Sequence, residues 1–123
     1  MDQEKYQEMQ MLDYQIKQVQ KLIENIDVQL LEISGTIDAL QEFEKLNHND
    51  EILFPIANGI FAKGVLTDNK MLKINVGSNV VVEKSAKDTI VMMEKQAKDI
   101  ENYRQEVLGQ LQKSIERMQE LQG

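Results

Sequence analysis

Residues 52–84 read ILFPIANGIFAKGVLTDNKMLKINVGSNVVVEK, an apolar, β-branched stretch set between two long polar ones. Three turn signals divide it: Asn58-Gly59, TDNK at 67–70 and GSN at 77–79. Gly and Asn tolerate positive φ, and Asp, Asn and Ser side chains bond their own backbone, so these positions favour tight reversals. The spacing predicts strands over 52–56, 60–66, 71–76 and 80–83, and therefore two consecutive β-hairpins. Pro55 has no N–H to give to a ladder, so its strand is expected to be irregular or at an edge there.

Several of the strands carry apolar groups on both faces, whereas 71–76 has one apolar and one more polar face. Ile52, Phe54 and Ile56 point one way, and Leu53 with Pro55 the other. Phe61 and Val65 oppose Ile60 and Leu66. Leu72, Ile74 and Val76 share a face opposite Met71, Lys73 and Asn75, while Val80 and Val82 oppose Val81 and Glu83. We expect a four-stranded sheet with no helix inserted to cover it, which leaves apolar area and unpaired edges exposed. The simplest partner is another chain. Ile52, Phe54, Ile56, Ile60, Phe61, Leu72, Ile74, Val76, Val80, Val81 and Val82 are the candidate oligomerisation residues.

The flanking segments, 1–47 and 85–123, each read as one helix. From Met9 the apolar positions Leu12, Ile16, Val19, Ile23, Ile26, Leu30, Ile33, Ile37 and Leu40 follow alternating steps of three and four, an unbroken heptad seam. The pattern predicts a helix over about 3–46, ended by NHND at 47–50. Ser85 and Asp88 form an N-terminal capping signal for the second helix. There Ile90, Met93, Ala97, Ile100, Val107, Leu111, Met118 and Leu121 repeat, but Arg104 and Ser114 fall on seam positions. With Tyr103, Leu108 and Ile115 nearby, a shifted or mixed register is expected. Each helix has one apolar stripe, and pairing the two antiparallel buries both. Arms of this length would be about 60 Å long. The whole of 1–123 is thus read as a single module, α+β in class: a long antiparallel coiled-coil hairpin with two β-hairpins inserted between its helices.

Composition excludes several functions. Cys is absent, which removes disulfides and thiolate chemistry. The net charge of −7, with no basic stripe, argues against nucleic acid and anionic membranes. Neither a signal peptide nor a run near 20 apolar residues is visible, so a soluble, cytoplasmic protein is expected. His48 is the single histidine and lies in a polar loop without ligand spacing, so no metal site is expected. No phosphate-binding glycine motif occurs, and no catalytic pair stands out; no cofactor and no enzymatic activity are expected.

Methionines concentrate toward the chain ends. Met1, Met9 and Met11 lie near one and Met118 near the other, and an antiparallel hairpin would bring them together. Flexible, polarizable Met suits non-specific apolar contact. Tyr6, Met9, Met11, Leu12, Ile115, Met118 and Leu121 are therefore candidate binding residues at the helix tips, with Tyr6 and Met11 off the seam.

Helix, two hairpins, helix resembles the prefoldin family, and within it the alpha-class subunits of archaeal type. ILFPIANGIFAKGVL is similar to the opening hairpin, with Leu53-Phe54-Pro55-Ile56 at its start. MLKINVGSNVVVEKS is similar to the closing pattern, with Val76-Gly77 and Val80 through Lys84 leading into the second helix. The resemblance implies a hexamer of two alpha-class and four beta-class subunits joined through their hairpins. It implies a chaperone that captures unfolded polypeptides at its tips without nucleotide and passes them to a group II chaperonin. A coiled-coil scaffold without clients is the competing reading.

Overall fold

The computed structural model describes residues 2–123. In chain order its elements are α1 (Gln3–Glu44), β1 (Glu51–Ala57), β2 (Ile60–Val65), β3 (Met71–Asn75), β4 (Val81–Ser85) and α2 (Ala86–Gln122). The helix boundaries follow from local chemistry. Asp2 caps α1, its Oδ1 accepting from the Glu4 N–H at 3.1 Å. At the other end the Lys45 and Leu46 N–H groups donate to Glu42 and Phe43 carbonyls, tightening the last turn. Asn47 then donates its N–H to Asp50 Oδ2 at 2.7 Å, and Asn49 takes φ 73°, so 47–50 is a tight loop. Ser85 caps α2 as the sequence predicts, with its Oγ accepting from the Asp88 N–H at 3.0 Å. Thr89, buried, donates its hydroxyl to the Ser85 carbonyl at 2.8 Å.

The chain forms two compact units, one joining residues up to Ser34 with Lys95–Gly123 and one spanning Gly35–Glu94. In the first, the two helices run antiparallel: Asp27 of α1 pairs with Arg104 of α2, and the earlier Glu8 pairs with the later Arg117. Met9, Leu12, Ile16, Val19, Ile23, Ile26, Leu30 and Ile33 are all buried or half-buried. So are Ala97, Ile100, Arg104, Val107, Leu111, Ser114, Met118 and Leu121 on α2. Ile26 and Val107 are the deepest, at 3% and 2% exposed.

The expected shift of register in α2 does not occur. Its steps of four and three continue unbroken through Arg104 and Ser114. Arg104 holds the seam by laying its stem along it and carrying its guanidinium outward to Asp27, Nε to Oδ1 at 2.7 Å and Nη2 to Oδ2 at 3.3 Å. Leu108 and Ile115 widen the stripe as half-buried flanks, whereas Tyr103 is exposed. Among the described residues no buried side-chain polar atom lacks a partner.

In the second unit the four strands do not make one sheet. They form two separate antiparallel ladders, β1–β2 and β3–β4. The reason lies in the connection between β2 and β3. Asp68 Oδ1 accepts from the N–H groups of Lys70 at 2.8 Å and Met71 at 3.1 Å. The Asn69 amide donates to the Leu46 carbonyl at 2.9 Å. Side chains and the end of the first helical segment thus satisfy this stretch, and β2 and β3 are not brought edge to edge.

In the first hairpin Pro55 faces Phe61, and the register slips between Pro55 and Ala57, leaving Ile56 as the extra residue of a bulge. The two-residue loop Asn58-Gly59 has positive φ at Gly59, 76°. In the second hairpin the expected strand ends shift. Val76 and Val80 lie in the connection, bonded to each other by the Val76 N–H and the Val80 carbonyl at 2.9 Å. Ser78 and Asn79 both adopt positive φ, 50° and 63°, as in a type I′ turn. The last strand correspondingly runs on to Ser85.

Candidate binding surfaces

Directly opposed residues of an antiparallel pair point to the same face, so the ladders sort the hairpin side chains. On β1–β2 one face carries Ile52 and Phe54 against Gly64 and Ala62; the other carries Leu53 and Pro55 against Lys63 and Phe61. Leu53, Phe54, Ile56, Ile60, Phe61 and Val65 are all exposed, and only Ile52 among the candidates here is half-buried. The Phe54 ring lies over Gly64 so closely that a Cβ there would come 2.9 Å from its Cδ2. That glycine is what lets a large ring lie flat on the strand.

On β3–β4 the faces differ. Leu72, Ile74, Val82 and Lys84 share one face and are half-buried within the unit. Met71 and Val81 are exposed on the other, and Val76 and Val80 are exposed at the turn. The candidates thus divide into a set held inside the unit and a set presented outward. Sequence reasoning left Leu53, Val65 and Met71 out of the candidate set although all three are exposed apolar groups of the strands. Regular pairing outward from Asn58-Gly59 would put Leu53 beside Gly64 and Val65 beside Ile52; the bulge at Ile56 moves them beside Lys63 and Glu51, on a face open to solvent.

The tip candidates also divide. Tyr6 and Met11 are 53% and 63% exposed. Met9, Leu12, Ile115 and Met118 are half-buried in the seam, and Leu121 is only 8% exposed. A shallow groove of about 270 Å³ runs here, lined by Tyr6, Met9, Gln10, Asp13, Met118 and Gln122. Met1, grouped with these in the sequence reading, lies outside the described residues. Arg117 spans the two helices at this end: Nε and Nη2 donate to Glu8 Oε1 and Oε2 at 2.8 and 3.2 Å, and Nη1 to Glu120 Oε2 at 3.1 Å. Hydrogen bonding from Arg117 holds the Glu8 carboxyl below its ordinary range, and the two carboxylates push the guanidinium up.

His48 is exposed, and no cluster of His, Asp or Glu able to hold a metal occurs among the described residues. No helix among them is long and apolar enough to cross a membrane.

The likenesses of this chain agree with that geometry. The prefoldin subunit α of Methanococcus aeolicus is 24% identical, over 98% of this chain and 81% of its own length. That of Methanococcus maripaludis strain C5 is 31% identical, over 93% and 79%. That of Pyrococcus horikoshii is 32% identical, over 84% and 76%. Among solved structures, a filamentous PFD from Methanocaldococcus jannaschii superposes with a TM-score of 0.84 at 14% identity, covering 94% of this chain and 96% of that one. The model of the prefoldin subunit family matches residues 12–123, so the chain belongs to the prefoldin family.

Proposed function

We propose that this chain is an alpha-class subunit of a hetero-oligomeric prefoldin, a chaperone that holds unfolded polypeptides without ATP and delivers them to a group II chaperonin in the cytoplasm. The family is one of chaperones and not of enzymes. The finer reading rests on curated relatives named prefoldin subunit alpha, with 93% of this chain matched at 31% identity in one case. The observation that carries it is the outward set on the hairpins. Leu53, Phe54, Ile56, Phe61 and Val81 are large apolar side chains left in water by a chain whose own elements do not cover them. Two alpha-class and four beta-class subunits, joined through the hairpins, would bury them.

Client holding is assigned to the helix ends, where Tyr6 and Met11 stand exposed and Tyr6 lines the groove. Holding acts by mass action. Several weak apolar contacts per client lower the free concentration of aggregation-prone chains, and no bond is made or broken. The test is removal of residues 1–11 and 116–123. Aggregation suppression, followed by light scattering, should be lost while native mass spectrometry still finds the oligomer with beta-class partners. Suppression that survives truncation places the client site elsewhere; a truncated chain that assembles and never suppressed at full length is a scaffold.

A further inference from the structure

Of the seven tip candidates, five are turned toward the seam or half-covered by it, and two stand free. The groove bounded by Tyr6, Met9 and Met118 is shallow, and most of the apolar side chains at this end are covered or half-covered in the seam. Using those side chains on a client requires the first turns of α1 and the last turns of α2 to part. Terminal turns open at almost no free-energy cost, since they lie at the lowest end of local stability. What opposes parting among the described residues, besides the apolar seam itself, is a cross-helix polar link, the two-pronged bond from Arg117 to Glu8.

Resting on the reading that these ends hold clients, we propose that the Arg117–Glu8 bridge is a latch that sets how much apolar surface the helix ends offer. With the latch made, Leu121 is buried and Leu12, Met9 and Met118 are half-buried, leaving Tyr6 and Met11 as the contact groups. With the latch broken, the ends separate more often and the seam residues become available to a non-native chain. Arg117 is placed to work this way because it is doubly held. Its third bond, to Glu120 one turn on in α2, keeps the guanidinium aimed across the helix pair. Exposed ion pairs are weak in absolute terms, but an equilibrium near balance responds to a weak bias. A client that binds the parted ends draws the population further toward them.

Two variants separate the latch from general helix stability. Glu8→Gln removes the cross-helix charge and leaves Arg117–Glu120 in place, so α2 keeps its own terminal pair. Arg117→Gln removes both. Each should speed amide exchange over residues 116–123 by a factor of about two to five, the range that an exposed pair supports. Each should also raise suppression of aggregation of guanidinium-unfolded citrate synthase, in the full-length chain assembled with beta-class partners. The absence of Cys permits the opposite experiment. Glu8→Cys with Arg117→Cys, joined by a short bis-maleimide, should hold less client than the wild type, and the same variant left unjoined should hold more. Equal holding by the joined and unjoined forms overturns the latch, as does unchanged exchange in Glu8→Gln. Loss of holding on truncation together with equal holding by joined and unjoined forms would keep the tip assignment and discard the latch alone.

Discussion

Gly64 shows how one residue type can be dictated by a neighbour two positions across a ladder. Its backbone is ordinary in φ, so conformational freedom is not the reason for it; the Phe54 ring is. Gly64→Ala should force that ring from its place and cost about 1 kcal/mol or more through an off-rotamer side chain. The check is a thermal melt combined with the chemical shifts of the Phe54 ring, and an unmoved ring would show that the strand bends instead. Glu8 makes a residue-scale statement about pH. Its carboxyl titrates below the usual Glu value of 4.5 because Arg117 donates to it. A depressed value means the link is fully present above 4.5 and is lost as the pH falls through the lowered one. An NMR titration of the Glu8 side chain should therefore show a midpoint under 4.5, and a midpoint at or above it would contradict the bidentate pair.

At the scale of elements, the seam of α1 was fully legible, because ten apolar positions in alternating steps leave little else for a helix to do with them. The seam of α2 was misread at Arg104. A charged residue in an apolar repeat reads as a break, yet a long stem packs while its head reaches water and Asp27. Only the position of Asp27 on the other helix, 77 residues away, makes that arrangement good, and such pairing is invisible in a local pattern. The merged sheet failed for a similar reason. Strand existence and turns are written locally, but whether β2 meets β3 depends on what the Asp68 and Asn69 side chains do. For the candidate surfaces, residue type marked the apolar strands correctly, and exposure, which ladder register decides, separated outward groups such as Leu53 from inward ones such as Ile74. The seam makes a matched prediction. Arg104→Ala should lower the midpoint of thermal unfolding, removing stem packing and the pair together. Arg104→Leu should leave it equal or raise it, because an apolar side chain can replace a partly desolvated ion pair at no loss. Val107→Ala, at a site 2% exposed, should cost about 2 kcal/mol by circular dichroism.

For the molecule as a whole, the outward and inward sets should make assembly separable from folding, if the outward groups are what partner chains cover. Every strand pairs on one edge only, and each two-stranded ladder is too small to be stable by itself. Outward apolar groups are what a partner chain would cover, and inward ones are what the unit itself uses. Val81 is 57% exposed, whereas Ile74, opposite Val82, is half-buried. An aspartate at Val81 would be intolerable in a dry interface, and one at Ile74 would sit uncompensated against the half-buried face of its own hairpin. The two should nevertheless differ in the lone chain. Val81→Asp places its charge in water and should leave the melting curve of the isolated chain within about 0.5 kcal/mol of wild type, as surface changes do. Ile74→Asp should lower it as well, because the hairpin loses a packed side chain. With beta-class partners both should abolish the hetero-oligomer in native mass spectrometry. An assembly that survives Val81→Asp would mean that the outward face of β3–β4 stays open to solvent, and the burden of association would then fall on Leu53, Phe54 and Phe61 of the first hairpin.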